Sequence, residues 1–381
     1  MPPFKFVDLF CGIGGFHVAL KRLGGECVFA SDIDEKCQDV YAANFGLRPV
    51  GDITRVSAED VPAHDVLAAG FPCNPFSNGG HRLGLLDYRG TLFYEIARIV
   101  EHHKPRILLL ENVKHILTIQ DGEVLRTIME TFRNLGYAMK TVTMSPDEFG
   151  IPQNRQRVYF MGVRGLEGED VAAPPAPVNA PVEILQHGVE GFGVKEDVEA
   201  AFDAWTEALP VIREADVKHP VLVDMFYNTE DDLMQYPAWE RKYIEQNRAL
   251  YERNPEFWDE WVARHCDILE KRAVYRKLEW QVGEILDGDT MWNHFIQLRQ
   301  SGMRVKKATF FPTLVAMVQT PIYGPEKRFL TPRECARLQS FPDEHILHAK
   351  NPTAYKQLGN SVNVNVVEHI MRHLLESYYA E

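Results

Sequence analysis

Lys5-Phe6-Val7-Asp8-Leu9-Phe10-Cys11-Gly12-Ile13-Gly14-Gly15 is the stretch on which the fold turns. An apolar run of strand length ends in a glycine-rich turn. Phe16 to Leu23 follow at helical spacing and stop at Gly24-Gly25, a suitable C-cap. The same unit then recurs. Cys27-Val28-Phe29-Ala30 closes at Ser31-Asp32, Val66-Leu67-Ala68-Ala69-Gly70 runs into Phe71-Pro72-Cys73, and Ile107-Leu108-Leu109-Leu110 ends at Glu111. Val158 to Val163 reads as a further strand. Short β-rich runs alternating with helical stretches predict an open, mostly parallel α/β sheet.

Ligands of such sheets sit at the carboxyl ends of the strands. Phe10, Asp32, Phe71-Pro72-Cys73 and Glu111 all fall there. Any one of them alone reads as a helix cap or a turn residue, but four on one edge favour a site. The glycine loop departs from GxGxxG, because its third glycine follows at once, and by itself suits a nucleotide, a dinucleotide or S-adenosylmethionine. Asp32, ending the second strand, is placed to hold a ribose diol. Asp52 in Gly51-Asp52-Ile53-Thr54, ending the next one, could take an adenine amino group, so the pattern points to an adenosine-bearing cofactor. In Phe71-Pro72-Cys73-Asn74-Pro75 the prolines stiffen the turn around a cysteine at a strand end. A thiolate and the Glu111 carboxyl facing one cavity suit addition to an electron-poor ring, the acid protonating a ring nitrogen as sulfur attacks.

The bulk numbers bound the rest. A chain of 381 residues exceeds the usual size of one hydrophobic core, so two domains are expected. No apolar run approaches the roughly 20 residues that span a bilayer, and the N-terminus lacks the pattern of a signal peptide; a cytoplasmic protein with no membrane role is expected. The six cysteines show no paired spacing of a metal site, so no metal is expected, and five of them read as small buried hydrophobes. A net charge of −13 lowers the expectation of a nucleic-acid partner, although one basic cleft on an acidic body suffices. Residues 172–181 are a Pro-rich connector, and all six tryptophans lie between 205 and 292 among charged helical stretches, which marks a second domain with its own core. Val362, Val366, Val367, Ile370, Met371, Leu374 and Leu375 make one apolar helix face able to pack on the N-terminal sheet.

Six ordered blocks carry a resemblance. They are Asp8 to Gly15, Gly70-Phe71-Pro72-Cys73, Glu111-Asn112-Val113, Gln153-Asn154-Arg155-Gln156-Arg157, Arg333 to Asp343, and Gly359-Asn360-Ser361-Val362. In this order they resemble the motif series of the bacterial DNA cytosine-C5 methyltransferases of restriction–modification systems, over about residues 4–165 and 309–378. The resemblance implies a Rossmann-like, S-adenosylmethionine-dependent methyltransferase sheet in residues 1–171, completed by a C-terminal helix at 355–381. A smaller target-recognition domain is then expected at 182–350, with its variable region at 182–308.

It further implies S-adenosyl-L-methionine as methyl donor, S-adenosyl-L-homocysteine as product, and a cytosine flipped out of double-stranded DNA as acceptor. Cys73 would attack C6 and Glu111 contact the N3 edge, while Arg155 and Arg157 would hold the base O2 and the active-site phosphate. Phe10, Gly12, Gly14, Gly15, Asp32, Ile33, Asp52, Ile53, Pro72, Leu92, Asn360 and Val362 would line the cofactor site. Ser77 to Arg89, with His81 and Arg82 at a basic tip among glycines, resembles a mobile loop that closes over DNA. Arg299, Arg304, Lys306 and Lys307 form a basic cluster suited to phosphates, and Thr313 with Leu314 resembles a dipeptide that packs beside the flipped base.

One departure stands out: Asn74 follows the cysteine where the family usually has glutamine, which bears on how the loop closes rather than on the nucleophile. A transfer-RNA cytosine methyltransferase shares the motif series, but its distinctive Cys-Phe-Thr does not occur here. A monomer is expected, with a cognate restriction endonuclease as functional counterpart.

Overall fold

The computed structural model describes residues 2–72, 91–166, 170–228, 233, 235–317 and 319–379. The chain divides into two compact units. The first comprises Met1–Ile184, Val315–Met317 and Pro332–Glu381; the second comprises Leu185–Leu314 and Val318–Thr331. No helix among the described residues is long and apolar enough to cross a membrane.

The first unit begins with β1 (Phe4–Leu9), α1 (Gly15–Arg22), β2 (Gly25–Ser31), α2 (Glu35–Phe45), β3 (Val66–Gly70), α3 (Thr91–His103), β4 (Ile107–Val113), α4 (Glu123–Asn134), β5 (Tyr137–Met144) and β6 (Arg157–Arg164). These strands form one sheet in the order β2-β1-β3-β4-β6-β5. β1 to β4 run parallel, and β6 is antiparallel to both of its neighbours. The central strands are buried on both faces, which is why they read as unbroken apolar runs. Leu67, Ala69, Leu108, Leu110, Val158 and Phe160 share one core with Phe93, Ile96 and Val100 of α3 and Ile128 and Phe132 of α4.

The second unit holds α5 (Glu196–Glu214), β7 (Val221–Leu222), α6 (Ala238–Arg253), α7 (Pro255–Lys271), β8 (Lys277–Trp280), β9 (His294–Arg299), β10 (Gly302–Lys307), β11 (Ile322–Tyr323) and β12 (Arg328–Phe329). Its sheet runs β12-β11-β9-β10-β8-β7. Trp205, Trp258 and Trp261 are fully buried in its core and Trp280 and Trp292 pack against it, whereas Trp239 on α6 is two-thirds exposed.

The chain then returns to the first unit with α8 (Pro332–Leu338), α9 (Asn351–Asn360) and α10 (Val364–Tyr378). Residues 332–350, placed in the recognition domain by the sequence reading, pack here instead. Gln339 Nε2 donates to the Leu358 carbonyl, and Asn44 and Ile346 exchange two hydrogen bonds of 2.9 and 2.7 Å. The apolar face expected on α10 is buried, its helix packs on α1, and Asn363 caps its start through the Val366 N–H. The Pro-rich connector follows α10, bonded through Ala172 N to the Tyr378 hydroxyl and through the Pro175 carbonyl to His369.

Asp8 in β1 is completely buried, with the His17 N–H and the Tyr41 hydroxyl as its nearest polar neighbours. Burial, reinforced by the nearby Asp32, pushes this carboxyl well above the usual carboxylate range. The folded chain therefore favours protonated Asp8. The stability this confers is complete below the unfolded pKa and drains away as pH rises toward the folded one. Asp8→Asn should gain on the wild type with rising pH, by up to about 1.4 kcal/mol per pH unit inside that window. Denaturation midpoints of both proteins at pH 5 and pH 8 check this; a pH-independent difference would contradict it.

Candidate active site

The carboxyl edge of β1 to β4 opens on a cavity of about 510 Å³ within the first unit, a size suited to a nucleoside-bearing ligand. Its lining includes Phe10, Gly12, Gly15, Asp32, Ile33, Asp52, Ile53, Pro72 and Leu92, together with Glu111, Arg155, Arg157, Asn360 and Val362. The structure thus brings together most of the residues that the sequence singled out. Gly14 stands apart: it starts α1 at φ 89° and does not line the cavity, and a β-carbon there would collide with the Phe45 ring. Cys73, Ser77, His81 and Arg82 lie outside the described residues.

The glycine turn owes its shape to three left-handed residues, Phe10 (φ 56°), Gly12 (φ 53°) and Gly14. A left-handed phenylalanine is strained, and such residues recur where a backbone is held for a ligand. The turn is fastened by Asp32, whose carboxylate accepts from the Gly12 N–H at 2.8 Å and the Asp34 N–H at 2.9 Å. A carboxylate has about four lone-pair positions, so Asp32 keeps capacity for a ligand hydroxyl. Beside it Ile33 is 75% exposed, an apolar side chain with no cover. Asp52 caps the short 3₁₀ turn Ile53–Arg55 rather than ending a strand, accepting from the Thr54 N–H and hydroxyl. Those bonds hold its carboxyl below the usual range, so it faces a ligand as an anion.

Opposite lies the second cluster. Glu111 pairs with Gly70 across the sheet, and its Oε2 lies 3.5 Å from where a β-carbon on residue 70 would stand. Arg157, the first residue of β6, places Nε 3.1 Å from Glu111 Oε1. Burial outweighs both arginines and keeps the Glu111 carboxyl above its ordinary range. Glu111 is thus a carboxyl biased toward its protonated form, beside a fixed cation. Arg155 is arranged differently. It is buried, and its Nη2 donates to the carbonyls of Gly359 and Ser361 at 2.8 and 2.9 Å.

Sequence reading missed several supports. Asn112 donates to the Phe71 carbonyl at 3.0 Å, tying the turn that leads to Cys73 onto β4; its place beside Glu111 was the available signal. Gln38 holds the Asp32 carbonyl, and Cys37 and Gln357 also line the cavity. The five described cysteines are free; burial pushes the Cys27 and Cys37 thiols up to about 12 and those of Cys11 and Cys335 above the usual range. Those four make poor nucleophiles, whereas Cys266 is exposed and not the buried hydrophobe that the sequence suggested.

In the second unit, strand alternation sorts the basic cluster. Register places Arg304 beside Gln297 and Glu279, Lys306 beside Phe295, and Gly302 beside Arg299. The opposite face carries Met303, Val305, Ile296 and Leu278 into the core. Arg299, Arg304 and Lys306 therefore share one polar face, with Lys307 on the other. Burial, with added crowding by like charge, lowers the pKa of Arg299 and Lys306. Arg304 Nε is clamped by Glu279 at 2.7 Å. Thr313 is half-buried beyond β10.

Comparison with known proteins adds a family. Residues 4–376 match the family described as C-5 cytosine-specific DNA methylase. The chain is 32% identical to the type II methyltransferase M.AluI of Cellulosimicrobium cellulans, covering 97% of this chain and 91% of that one. It is 30% identical to M.HhaI of Haemophilus parahaemolyticus, covering 96% and 92%. Among solved structures, the S. pombe Dnmt2 methyltransferase aligns over 98% of both chains with a TM-score of 0.53 at 22% identity, a likeness of fold.

Arg157→Gln should leave Glu111 buried without its nearest cation and raise its pKa further. Because the folded value then lies further above the unfolded one, the variant's stability deficit should be small at pH 5 and grow toward pH 8. It should approach the roughly 3–5 kcal/mol of a broken buried pair only where the carboxyl stays ionised. Urea unfolding at both pH values measures it, and an equal deficit would contradict the assignment.

Proposed function

The chain belongs to the C-5 cytosine-specific DNA methylase family, and on that premise we propose that it methylates C5 of a cytosine flipped out of duplex DNA, through a covalent bond between Cys73 and C6. The observation that carries this reading is Glu111. It is a buried carboxyl held above its usual range, in one cavity with the Asp32 and Asp52 carboxylates and at the edge where Phe71-Pro72 leads into Cys73.

S-adenosylmethionine, when bound, supplies an electrophilic methyl group. Asp32 suits its ribose diol, Asp52 its adenine amino group, and Phe10 and Ile33 the faces of the adenine ring, with Asn360 and Val362 on the facing wall. Cytosine C5 is a weak nucleophile while the ring is aromatic. Addition of the Cys73 thiolate to C6, with Glu111 giving its proton to N3, converts the ring to an enamine whose electron pair rests on C5. Arg157 steadies the O2 edge and stabilises the Glu111 carboxylate once its proton has gone. After methyl transfer, solvent takes the C5 proton, the C5–C6 double bond re-forms as the Cys73 thiolate leaves, and N3 returns its proton to the Glu111 carboxylate, which restores the ring. The Asn112 bond to Phe71 fixes the backbone two residues before Cys73.

The polar face of the second sheet supplies the basic surface for duplex DNA, and restriction–modification is the context that the curated relatives support. Arg299 and Lys306 fit phosphates; Arg304, held in one orientation by Glu279, fits a base edge. Lys306→Ala should weaken binding evenly across DNA sequences and lower the salt slope by about one, whereas Arg304→Ala should cost about 1–3 kcal/mol at one position of the site. Competition binding against single-base variants separates the two.

DNA carrying 5-fluorocytosine tests the chemistry, because fluorine cannot leave C5 as the proton does. With the methyl donor present, a stable adduct should form on the peptide containing Cys73 and vanish in Cys73→Ala. Failure of the wild type to form it would overturn the covalent mechanism.

A further inference from the structure

We infer that Arg155 is a positioning residue for the cofactor wall and that Arg157 alone of the two arginines serves the base. The two stand in one short motif, Gln153-Asn154-Arg155-Gln156-Arg157, yet their surroundings differ. Arg157 directs Nε at the Glu111 carboxylate. Arg155 directs Nη2 at two backbone carbonyls, Gly359 and Ser361, which bracket Asn360.

Arg155 is itself pinned. Its backbone N–H donates to Ser145 Oγ at 2.9 Å, and Ser145 belongs to a capping box closed by Glu148. A rigid cation thus reaches from the start of β6 to the segment joining α9 and α10. That segment is also held at Ser361, whose hydroxyl donates to the Val362 carbonyl at 3.2 Å, and at Asn363, whose Nδ2 donates to the Leu338 carbonyl at 3.1 Å. The N–H of Ser361 returns to the Leu358 carbonyl at 3.3 Å, and the Leu358 carbonyl also receives Gln339 Nε2 at 2.9 Å. Gln339 and Arg155 are both buried, so two side chains gather the carbonyls of 358, 359 and 361 on one side. Asn360 and Val362 are left on the cavity wall. Two close approaches make the placement sensitive. A β-carbon on Gly359 would strike the Val315 carbonyl, and one on Gly15 would lie 2.6 Å from Val362. The wall can neither advance nor retreat without losing these contacts.

Burial and the neighbouring Arg157 bring the guanidinium of Arg155 down to about 9, so it is still charged at neutral pH and its bonds to the carbonyls are charge-assisted. Its charge also acts on Glu111, but weakly compared with that of Arg157.

The inference rests on the reading of Glu111 and Arg157 as the pair that acts on cytosine, and the test keeps the two apart. Affinity for S-adenosylhomocysteine, measured calorimetrically without DNA, reports the wall. Exchange of tritium from C5 of cytosine in duplex DNA, which needs thiolate addition and reversal but no methyl group, reports the base site. Arg155→Gln should weaken S-adenosylhomocysteine by about tenfold or more while keeping exchange within a few-fold of wild type. Arg155→Lys, able to reach one carbonyl, should recover part of the affinity. Arg157→Gln should show the reverse, near-normal affinity with exchange abolished.

Gln339→Met removes the other donor and leaves Arg155 in place. It should also weaken the ligand with exchange retained, and it decides the matter should Arg155→Gln fail to fold. Unchanged affinity in Arg155→Gln or Gln339→Met, or loss of exchange in Arg155→Gln to the level of Arg157→Gln, would overturn the inference. Absence of exchange in the wild type would instead overturn the reading of the base site and leave the affinity arm standing.

Discussion

The ion pair between Glu111 and Arg157 joins the last of the parallel strands to the antiparallel strand beside it, and the architecture of the site follows from that contact. Were β6 parallel to β4, its first residue would lie at the opposite end of the sheet from the ligand edge. Because the chain instead passes through β5 and returns as β6, Arg157 begins its strand at the end where Glu111 sits. Antiparallel insertion into a parallel sheet thereby gives a buried carboxyl a cation that a helix crossover would not provide. Burial still dominates, which leaves the carboxyl able to hold a proton in a cavity where an isolated carboxylate would be costly.

Around this pair the chain divides its tasks. Residues just after β1 and β2, with Asp52 on its 3₁₀ turn, bring carboxyl groups and an uncovered isoleucine to the cavity, which Glu111 of β4 and Arg157 of β6 also line. The far end of the chain closes the same cavity. α10 buries its apolar face on α1, and the α9–α10 junction delivers Asn360 and Val362 to the wall. A single unit is thus built from both ends of the sequence, with the second unit inserted between them. The inserted unit has its own tryptophan-rich core and its own sheet, one face apolar and the other basic. Local concentration of charge on that face answers the objection raised by a net charge of −13.

Much of this was legible in the sequence, for definite reasons. Strands buried on both faces read as unbroken apolar runs, and each of the four parallel runs ended at a residue that now lines the cavity or leads into Cys73. The helix at 364–378 declared its buried face by spacing alone. What stayed hidden depends on pairs far apart in the chain. Arg155 and Arg157 looked equivalent, and only the positions of Gly359 and Ser361 separate them. The clamp of Glu279 on Arg304 needs the register of β8 with β10. Residues 332–350 carry no composition change to signal that they leave the second unit, and Trp239 is exposed although its neighbours in composition are core. Asp52 caps a turn instead of ending a strand, a local hydrogen-bond choice that apolar periodicity does not encode.

The atom that receives the methyl group distinguishes this chemistry from every alternative. Duplex DNA treated with the purified chain and S-adenosylmethionine labelled in its methyl group, then digested to nucleosides and resolved by mass spectrometry, reports that atom directly. Label is expected in 5-methyldeoxycytidine, in one sequence context and dependent on Cys73. Label on an exocyclic amine, or label that enters transfer RNA but not duplex DNA, would contradict it.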